Sequence, residues 1–148
     1  MFMLKEGDKV PEIRIKDMNG EVSLSDFKGK NIVVYFYPKD NTPGCTIEAC
    51  EFRDGYKDIQ KYAEVIGISP DDIESHKKFK EKLNLPFILL SDGDHKLAEA
   101  FGVWVEKKFM GKKYFGIQRS TFLIDKKGII RKVFPNVNPK GHAKEIID

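Results

Sequence analysis

Two apolar runs with a helix-period stretch between them constrain this chain most. Residues 31–37 (Asn-Ile-Val-Val-Tyr-Phe-Tyr) are almost continuously apolar and aromatic, bounded by Gly29-Lys30 and Pro38, and residues 64–69 form a second run. A strand without a polar face is covered on both sides, so each run predicts a buried strand of a sheet with layers above and below it. Between them Ile47, Ala49, Cys50, Phe52, Tyr56 and Ile59 recur at three and four residue intervals, predicting a helix from Thr46 to about Tyr62 with one buried face. Strand, helix, strand makes a parallel unit, and the first strand is expected to be central.

The remaining segments extend this plan. Ile13 to Lys16 and Val22 to Leu24 flank Asp17-Met18-Asn19-Gly20, an Asn-Gly turn that predicts an N-terminal β-hairpin. Ser69-Pro70-Asp71-Asp72 supplies a cap, a first-position proline and acids for a helix through Leu83. Residues 87–90 read as a third strand and residues 94–101 as a short helix. Residues 120–125 and 128–133 read as a hairpin through Lys126-Lys127, and a last helix is expected from about Lys140. Parallel units followed by an antiparallel hairpin and a final helix predict an α/β, thioredoxin-like fold: a central mixed sheet flanked by helices, in one domain over residues 1–148.

The formal net charge of +3 is spread over Lys-rich faces interleaved with acids, which reads as solvated surface and not as a nucleic-acid footprint. Met1-Phe2-Met3-Leu4 is too short an apolar run for a signal peptide, and no stretch approaches membrane-spanning length. The cytoplasm is the expected compartment, and a monomer the expected state, since no long exposed apolar stripe demands burial. Two cysteines in a reducing compartment are more often catalytic or metal-binding than structural.

Both cysteines lie in Pro38-Lys39-Asp40-Asn41-Thr42-Pro43-Gly44-Cys45-Thr46-Ile47-Glu48-Ala49-Cys50, where the first strand passes into the helix. A thiol in the first turn of a helix sees unpaired amide N–H groups and the positive end of the macrodipole, which favour the thiolate. A second cysteine five residues on offers an oxidised Cys45 a nearby partner. On a helix that spacing means roughly 140° of rotation and about 7.5 Å of rise, or about 8.5 Å between Cα atoms. Disulfides need Cα atoms within about 7 Å, so the two can couple only if the first turns unwind, which predicts two local states. Gly44 leaves room beside the sulfur, Thr42 offers a hydroxyl, and the Cys45 N–H, that hydroxyl and a guanidinium would make a donor set for an oxygen leaving a cleaved O–O bond.

Pro38-x-x-x-Thr42-x-x-Cys45 resembles the active-site signature of the peroxiredoxins, and Cys50 at the fifth following position resembles their peroxiredoxin Q subfamily. The likeness extends over Gly7-Asp8-Lys9-Val10-Pro11, Gly67-Ile68-Ser69, residues 119–128 and Pro139-Lys140-Gly141-His142-Ala143. It implies that Cys45 is the peroxidatic nucleophile and Cys50 the resolving thiol. It further implies that Thr42 and the backbone at Cys45 bind peroxide, Pro38 shields the sulfur and Arg119 supplies the guanidinium. The implied activity is reduction of hydrogen peroxide and organic hydroperoxides in antioxidant defence, through a Cys45–Cys50 disulfide recycled by thioredoxin or a glutaredoxin-like dithiol donor, with no metal or other cofactor. Glu48 matches a family position, with its role open. The chain stops at Ile147-Asp148 where relatives often continue a helix.

Blander readings stand beside these. Cys45 or Cys50 can be core thiols, Thr42 a helix cap, Pro38 a strand end, Arg119 a solvated strand residue and Glu48 dipole-friendly helix surface. His76, His95 and His142 read as surface histidines, and Trp104, Phe109, Tyr114 and Phe115 as core and loop packing. The i, i+5 cysteine spacing is not that of a zinc site, and no Gly-rich phosphate loop occurs. The rival functions are a thiol–disulfide oxidoreductase, which prefers CxxC spacing, and a peroxide-responsive redox sensor.

Overall fold

The computed structural model describes residues 3–17, 20–27, 29–142 and 146. A seven-stranded mixed sheet is built from β1 (Arg14–Asp17), β2 (Gly20–Ser23), β3 (Ile32–Phe36), β4 (Glu64–Ser69), β5 (Ile88–Ser91), β8 (Ser120–Ile124) and β9 (Ile130–Phe134). Its order is β2-β1-β5-β4-β3-β8-β9, with β3, β4 and β5 parallel and the other pairs antiparallel. Helices α1 (Pro43–Ile59), α2 (Ile73–Leu83) and α3 (Lys96–Phe101) connect the strands. A separate hairpin, β6 (Trp104–Phe109) with β7 (Lys112–Ile117), stands outside the sheet. This is the thioredoxin-like mixed sheet with flanking helices that the pattern predicted.

Strand β3 shows why its run is apolar throughout. Ile32, Val34 and Phe36 enter one core with Leu97, Ala98, Phe101 and Phe122, while Val33, Tyr35 and Tyr37 enter a second with Cys45, Ala49, Phe52 and Phe87. Successive side chains point to opposite faces, so a strand between two cores has no position left for a polar residue. β3 bonds β4 on one side and β8 on the other, and it delivers the chain into α1 from the interior of the sheet.

Several boundaries differ from the sequence reading. α1 starts at Pro43, three residues early, because proline fits the first helical turn, where its missing N–H costs nothing. The cap of α2 is Asp72, whose carboxylate accepts from the Ser75 amide; Ser69 is still the last residue of β4. The β6–β7 hairpin was not anticipated. Its turn residues Met110 and Gly111 both have positive φ, 51° and 80°, the requirement usually announced by Asn-Gly. Phe109, Tyr114 and Phe115 on this hairpin are exposed and not core, with only Trp104 partly buried, stacked on His95 at 4.0 Å. The Met18-Asn19 turn lies outside the described residues. So does most of the last helix, of which His142 and Ile146 are seen in helical conformation.

Gly67 lies on β4 between Tyr35 of β3 and Leu89 of β5. A Cβ there would fall 2.8 Å from Leu89 Cδ2 and 2.9 Å from the Tyr35 ring, closer than real contacts allow. Gly67→Ala is expected to destabilise the fold by about 1–3 kcal/mol in urea unfolding. An unchanged midpoint would show that the ring and the leucine can both move aside.

Candidate active site

Thr42 is the N-cap of α1 by position, yet its hydroxyl does not cap: Oγ1 donates backwards to the Lys39 carbonyl at 2.9 Å. The Thr42 carbonyl accepts the Thr46 amide at 2.8 Å, the first bond of the helix. The amides of Gly44 and Cys45 precede that bond and belong to the unpaired set at a helix start. Cys45 is 2 % exposed and faces the second core, where Ala49 and Phe52 follow it along the buried side of the helix.

Arg119 reaches this sulfur from the short link between β7 and β8. Its Nη2 donates to Cys45 Sγ at 3.2 Å and its Nη1 to Glu48 Oε1 at 2.6 Å. One guanidinium thus bridges a thiol and a carboxylate separated by a single helical turn, in the fork geometry that arginine alone provides. The Arg119 carbonyl accepts the Val137 amide at 2.7 Å, which fixes the base of the side chain. Gly44 is what lets the guanidinium close down. A Cβ there would meet Arg119 Nη2 at 3.3 Å and Pro139 Cγ at 3.4 Å.

Charge follows from this packing. Burial disfavours the Arg119 cation, but the Glu48 and Cys45 charges outweigh it and hold its pKa above the ordinary value. Glu48 is 1 % exposed, and its Oε2 has no hydrogen-bond partner among the described residues. Burial pushes its carboxyl up to about 7 against the opposing pull of Arg119. Tyr35 Oη is likewise buried without a partner; burial first, then the charges of Glu48 and Cys45, raise its pKa and keep it a phenol. Lys107 on β6 feels both groups: burial and then the Arg119 charge lower its pKa, and the Cys45 charge opposes them.

Of the residues singled out in the sequence, Cys45 and Arg119 are brought into contact, and Thr42 stands at the helix start three residues before the sulfur with its hydroxyl turned to Lys39. Pro38 lies two residues past the end of β3 and is half-buried, and Cys50 is half-buried further along α1, with both thiols free. Glu48 is no surface acid, and Lys107, which the sequence counts among the Lys-rich solvated faces, is half-buried near Arg119 and Cys45. The surface reading of the histidines is also corrected. His142 is fully buried, with Nε2 2.7 Å from Thr121 Oγ1 and its ring against Phe52, and His76 is fully buried beside Asp40. Both find partners distant in sequence, which spacing around a histidine does not reveal. Asp40, Asp71 and His76 form the one group of metal-ligand type among the described residues, their atoms within 4.8 Å of one another.

A thioredoxin-like sheet that delivers a buried thiol to a helix start, under a guanidinium, defines a class of thiol enzymes, and comparison with known proteins narrows it. Residues 6–133 match the AhpC/TSA family, and the chain belongs to it. It is 57% identical over 143 residues to peroxiredoxin Bcp of Bacillus subtilis (strain 168), covering 95% of this chain and 91% of that one. It is 48% identical over 150 aligned residues to peroxiredoxin Bcp of Escherichia coli (strain K12), covering 100% and 96%. Among solved structures it resembles a cysteine-to-serine mutant of PrxQ from Xylella fastidiosa, with TM-score 0.91 and 35% identity over 99% of this chain and 94% of that one. Peroxiredoxin Q of Xanthomonas campestris gives TM-score 0.86 and 38% identity over 91% and 87%. The chain is accordingly a thiol-dependent peroxidase, taking a peroxide as oxidant and a thiol as reductant. Among the described residues no helix is long and apolar enough to cross a membrane.

The raised Glu48 pKa has a signed consequence. Its folded value of about 7 lies above the ordinary 4.5, so the native state binds the proton more tightly. The associated stability is fully present below pH 4.5 and declines as pH rises through about 7. Glu48→Gln should flatten that decline in denaturation midpoints measured across this window, and a slope equal to that of the parent would assign it to other groups.

Proposed function

We propose that Cys45 is the nucleophile that cleaves the peroxide and that Cys50 resolves the product. The observation that carries this reading is the Arg119 Nη2 donor 3.2 Å from Cys45 Sγ, with that sulfur in the first turn of α1. Guanidinium and helix-start amides stabilise a thiolate, and a thiolate is the attacking form. Its sulfur attacks the near oxygen of ROOH, the O–O bond breaks, and the electron pair leaves on RO⁻, which takes a proton as ROH. Cys45 is then sulfenic acid. The Cys45 N–H and the Arg119 guanidinium stabilise the charge growing on the departing oxygen. Thr42, whose proton is engaged with Lys39, is free to accept one from the peroxide.

Cys50 thiolate then attacks the sulfenic sulfur, forming the Cys45–Cys50 disulfide and releasing water, and an external dithiol reduces that bond while becoming a disulfide itself. Both cysteines lie on one continuous helix, so the step requires the first turns of α1 to unwind. Pro38 covers the approach to the sulfur. The reductant is thioredoxin or a glutaredoxin-like protein, and the substrates are hydrogen peroxide and organic hydroperoxides. The similar bacterioferritin comigratory protein of Xanthomonas campestris is described as reducing alkyl peroxides, which supports the organic class. We place the enzyme in cytoplasmic antioxidant defence as a single-domain monomer without a nucleic-acid partner. A protein disulfide oxidoreductase would want both sulfurs at the helix start, whereas Cys50 lies more than a turn further on.

Stopped-flow mixing with hydrogen peroxide, followed by thioredoxin-coupled turnover and mass mapping, tests the assignment. Cys45→Ser should consume no peroxide, and Cys50→Ser should consume one equivalent and stall as the sulfenic acid. Arg119→Ala should slow the first step on the order of a hundredfold. Full cycling by Cys50→Ser would overturn the resolving role, and parental peroxide consumption by Cys45→Ser the whole scheme.

A further inference from the structure

We infer that Asp40 and His76 form a buried latch that anchors the loop leading into Cys45 to α2, and that this latch sets the balance between the helical and unwound states of the segment carrying both thiols. The inference rests on the proposed coupling of Cys45 with Cys50.

Asp40 sits on the five-residue link between Tyr37 and Pro43, yet it is only 5 % exposed. A carboxylate buried on a loop is costly unless its oxygens are filled by donors. Here they are. Oδ1 accepts from the Tyr37 hydroxyl at 2.5 Å; Oδ2 accepts from the Ser75 hydroxyl at 2.8 Å and lies 2.7 Å from His76 Nδ1. On its far side His76 Nε2 lies 2.9 Å from the Leu90 carbonyl. A carbonyl only accepts, so Nε2 carries a hydrogen, and the short Nδ1–Oδ2 contact then requires a second proton between ring and carboxylate. The ring, fully buried, bridges the loop to β5 through α2. That contact has hydrogen-bond length, which is why we read the group with Asp71 as a latch and not as a cation site. The Asp40 amide adds a bond to Asp71 Oδ2 at 2.6 Å, and Ser69 Oγ donates to the same oxygen at 2.8 Å.

The geometry shows where the latch ends. Asn41 has φ 61°, so the chain turns through a left-handed residue immediately after Asp40 and reaches the start of α1 two residues later. Downstream, Phe52 is fully buried, stacked on Tyr35 with ring centroids 4.6 Å apart and edge-on to Phe87 and His142. Residues 41–51 therefore lie between two fixed points, and both sulfurs lie among them. A latch that survives unwinding still biases it. By pinning one end of the loosened segment it removes conformational freedom from the unwound state, as a cross-link does. Losing the latch frees that end and favours unwinding.

The two chemical steps want opposite states: the peroxide reaction needs the helix intact, and disulfide formation needs it open. Asp40→Ala and His76→Ala, in the full chain, should therefore lower the second-order rate with hydrogen peroxide about tenfold and raise the rate from sulfenic acid to disulfide by a similar factor. Less sulfinic acid should accumulate at high peroxide, since the sulfenic state is shorter-lived. Asp40→Asn should restore both rates towards the parent, because an amide can donate to a neutral Nδ1. Hydrogen exchange should quicken at residues 41–51 and little elsewhere. If an alanine variant does not fold, Ser75→Ala removes one bond to the same oxygen and should shift both rates in the same opposed directions, less far. Rates that fall together, or do not move, overturn the latch. A parent enzyme that forms no Cys45–Cys50 disulfide would instead overturn the reading on which the latch rests.

Discussion

Strand β3 is buried at all five of its residues, alternating between two cores, and that constraint places the candidate site. Because it pairs with β4 and β8, its C-terminal end opens in the interior of the sheet and not at an edge. Tyr37, Pro38 and Asp40 follow within four residues of the strand's end, and Cys45 five residues after that. Burying β3 on both faces therefore also draws Tyr37, Asp40 and Cys45 into the interior, while Lys39 and Asn41 between them stay exposed. β8, on the other side of β3, begins one residue after Arg119. The antiparallel register that sets Phe36 opposite Ser120 is what brings a guanidinium 74 residues away onto the sulfur.

The charges near Cys45 depend on one another. Arg119 is only about one-seventh exposed and is divided between a thiol and a carboxylate, so each negative group competes for the same cation. Glu48 feels this most. One of its oxygens is bonded to Arg119 and the other is buried with no partner among the described residues, so it takes up a proton more readily than an ordinary glutamate. At neutral pH the guanidinium therefore serves the sulfur with part of the carboxylate's claim withdrawn. Lys107 contributes a second, less buried cation on the same side.

Those parts of this arrangement that depend on period and local chemistry were legible in the chain. Residues 64–69 reproduce β4 to the residue, because its buried stretch Val65-Ile66-Gly67-Ile68 has no polar side chain on either face. The thiol at a helix start was readable from Thr42-Pro43-Gly44-Cys45. What depends on distant partners was not. Glu48 follows Cys45 at a spacing that suits solvated helix surface, and only the docking of Arg119 makes a buried carboxylate tolerable there. His76 lies on a helix of lysines and glutamates, and its burial is explained by Asp40, 36 residues earlier. The β6–β7 hairpin escaped because its strands carry lysines among aromatics on both faces and its turn is Met-Gly.

A helix that, on the proposed cycle, later opens is best held by contacts the reaction itself can loosen, and α1 begins in that way. Its cap residue turns its hydroxyl away from the helix amides, a glycine occupies its second position, and Ile47 is left 43 % exposed. The first turn thus owes little to capping or apolar burial, and more to the sulfur's place in the core and the bond from Arg119. A hydrogen bond to a charged group contributes about 1.5–3 kcal/mol, and one between neutral groups about 0.5–1.5 kcal/mol. On the proposed cycle, conversion of a thiolate to neutral sulfenic acid leaves the guanidinium with a neutral acceptor, so the contact loses its ion-pair attraction while one partner stays charged. The same event that makes Cys45 need its partner weakens the contact that keeps the partner away. With little else at the helix start to offset that loss, the fixed points at Asp40 and Phe52 determine how far the opening spreads.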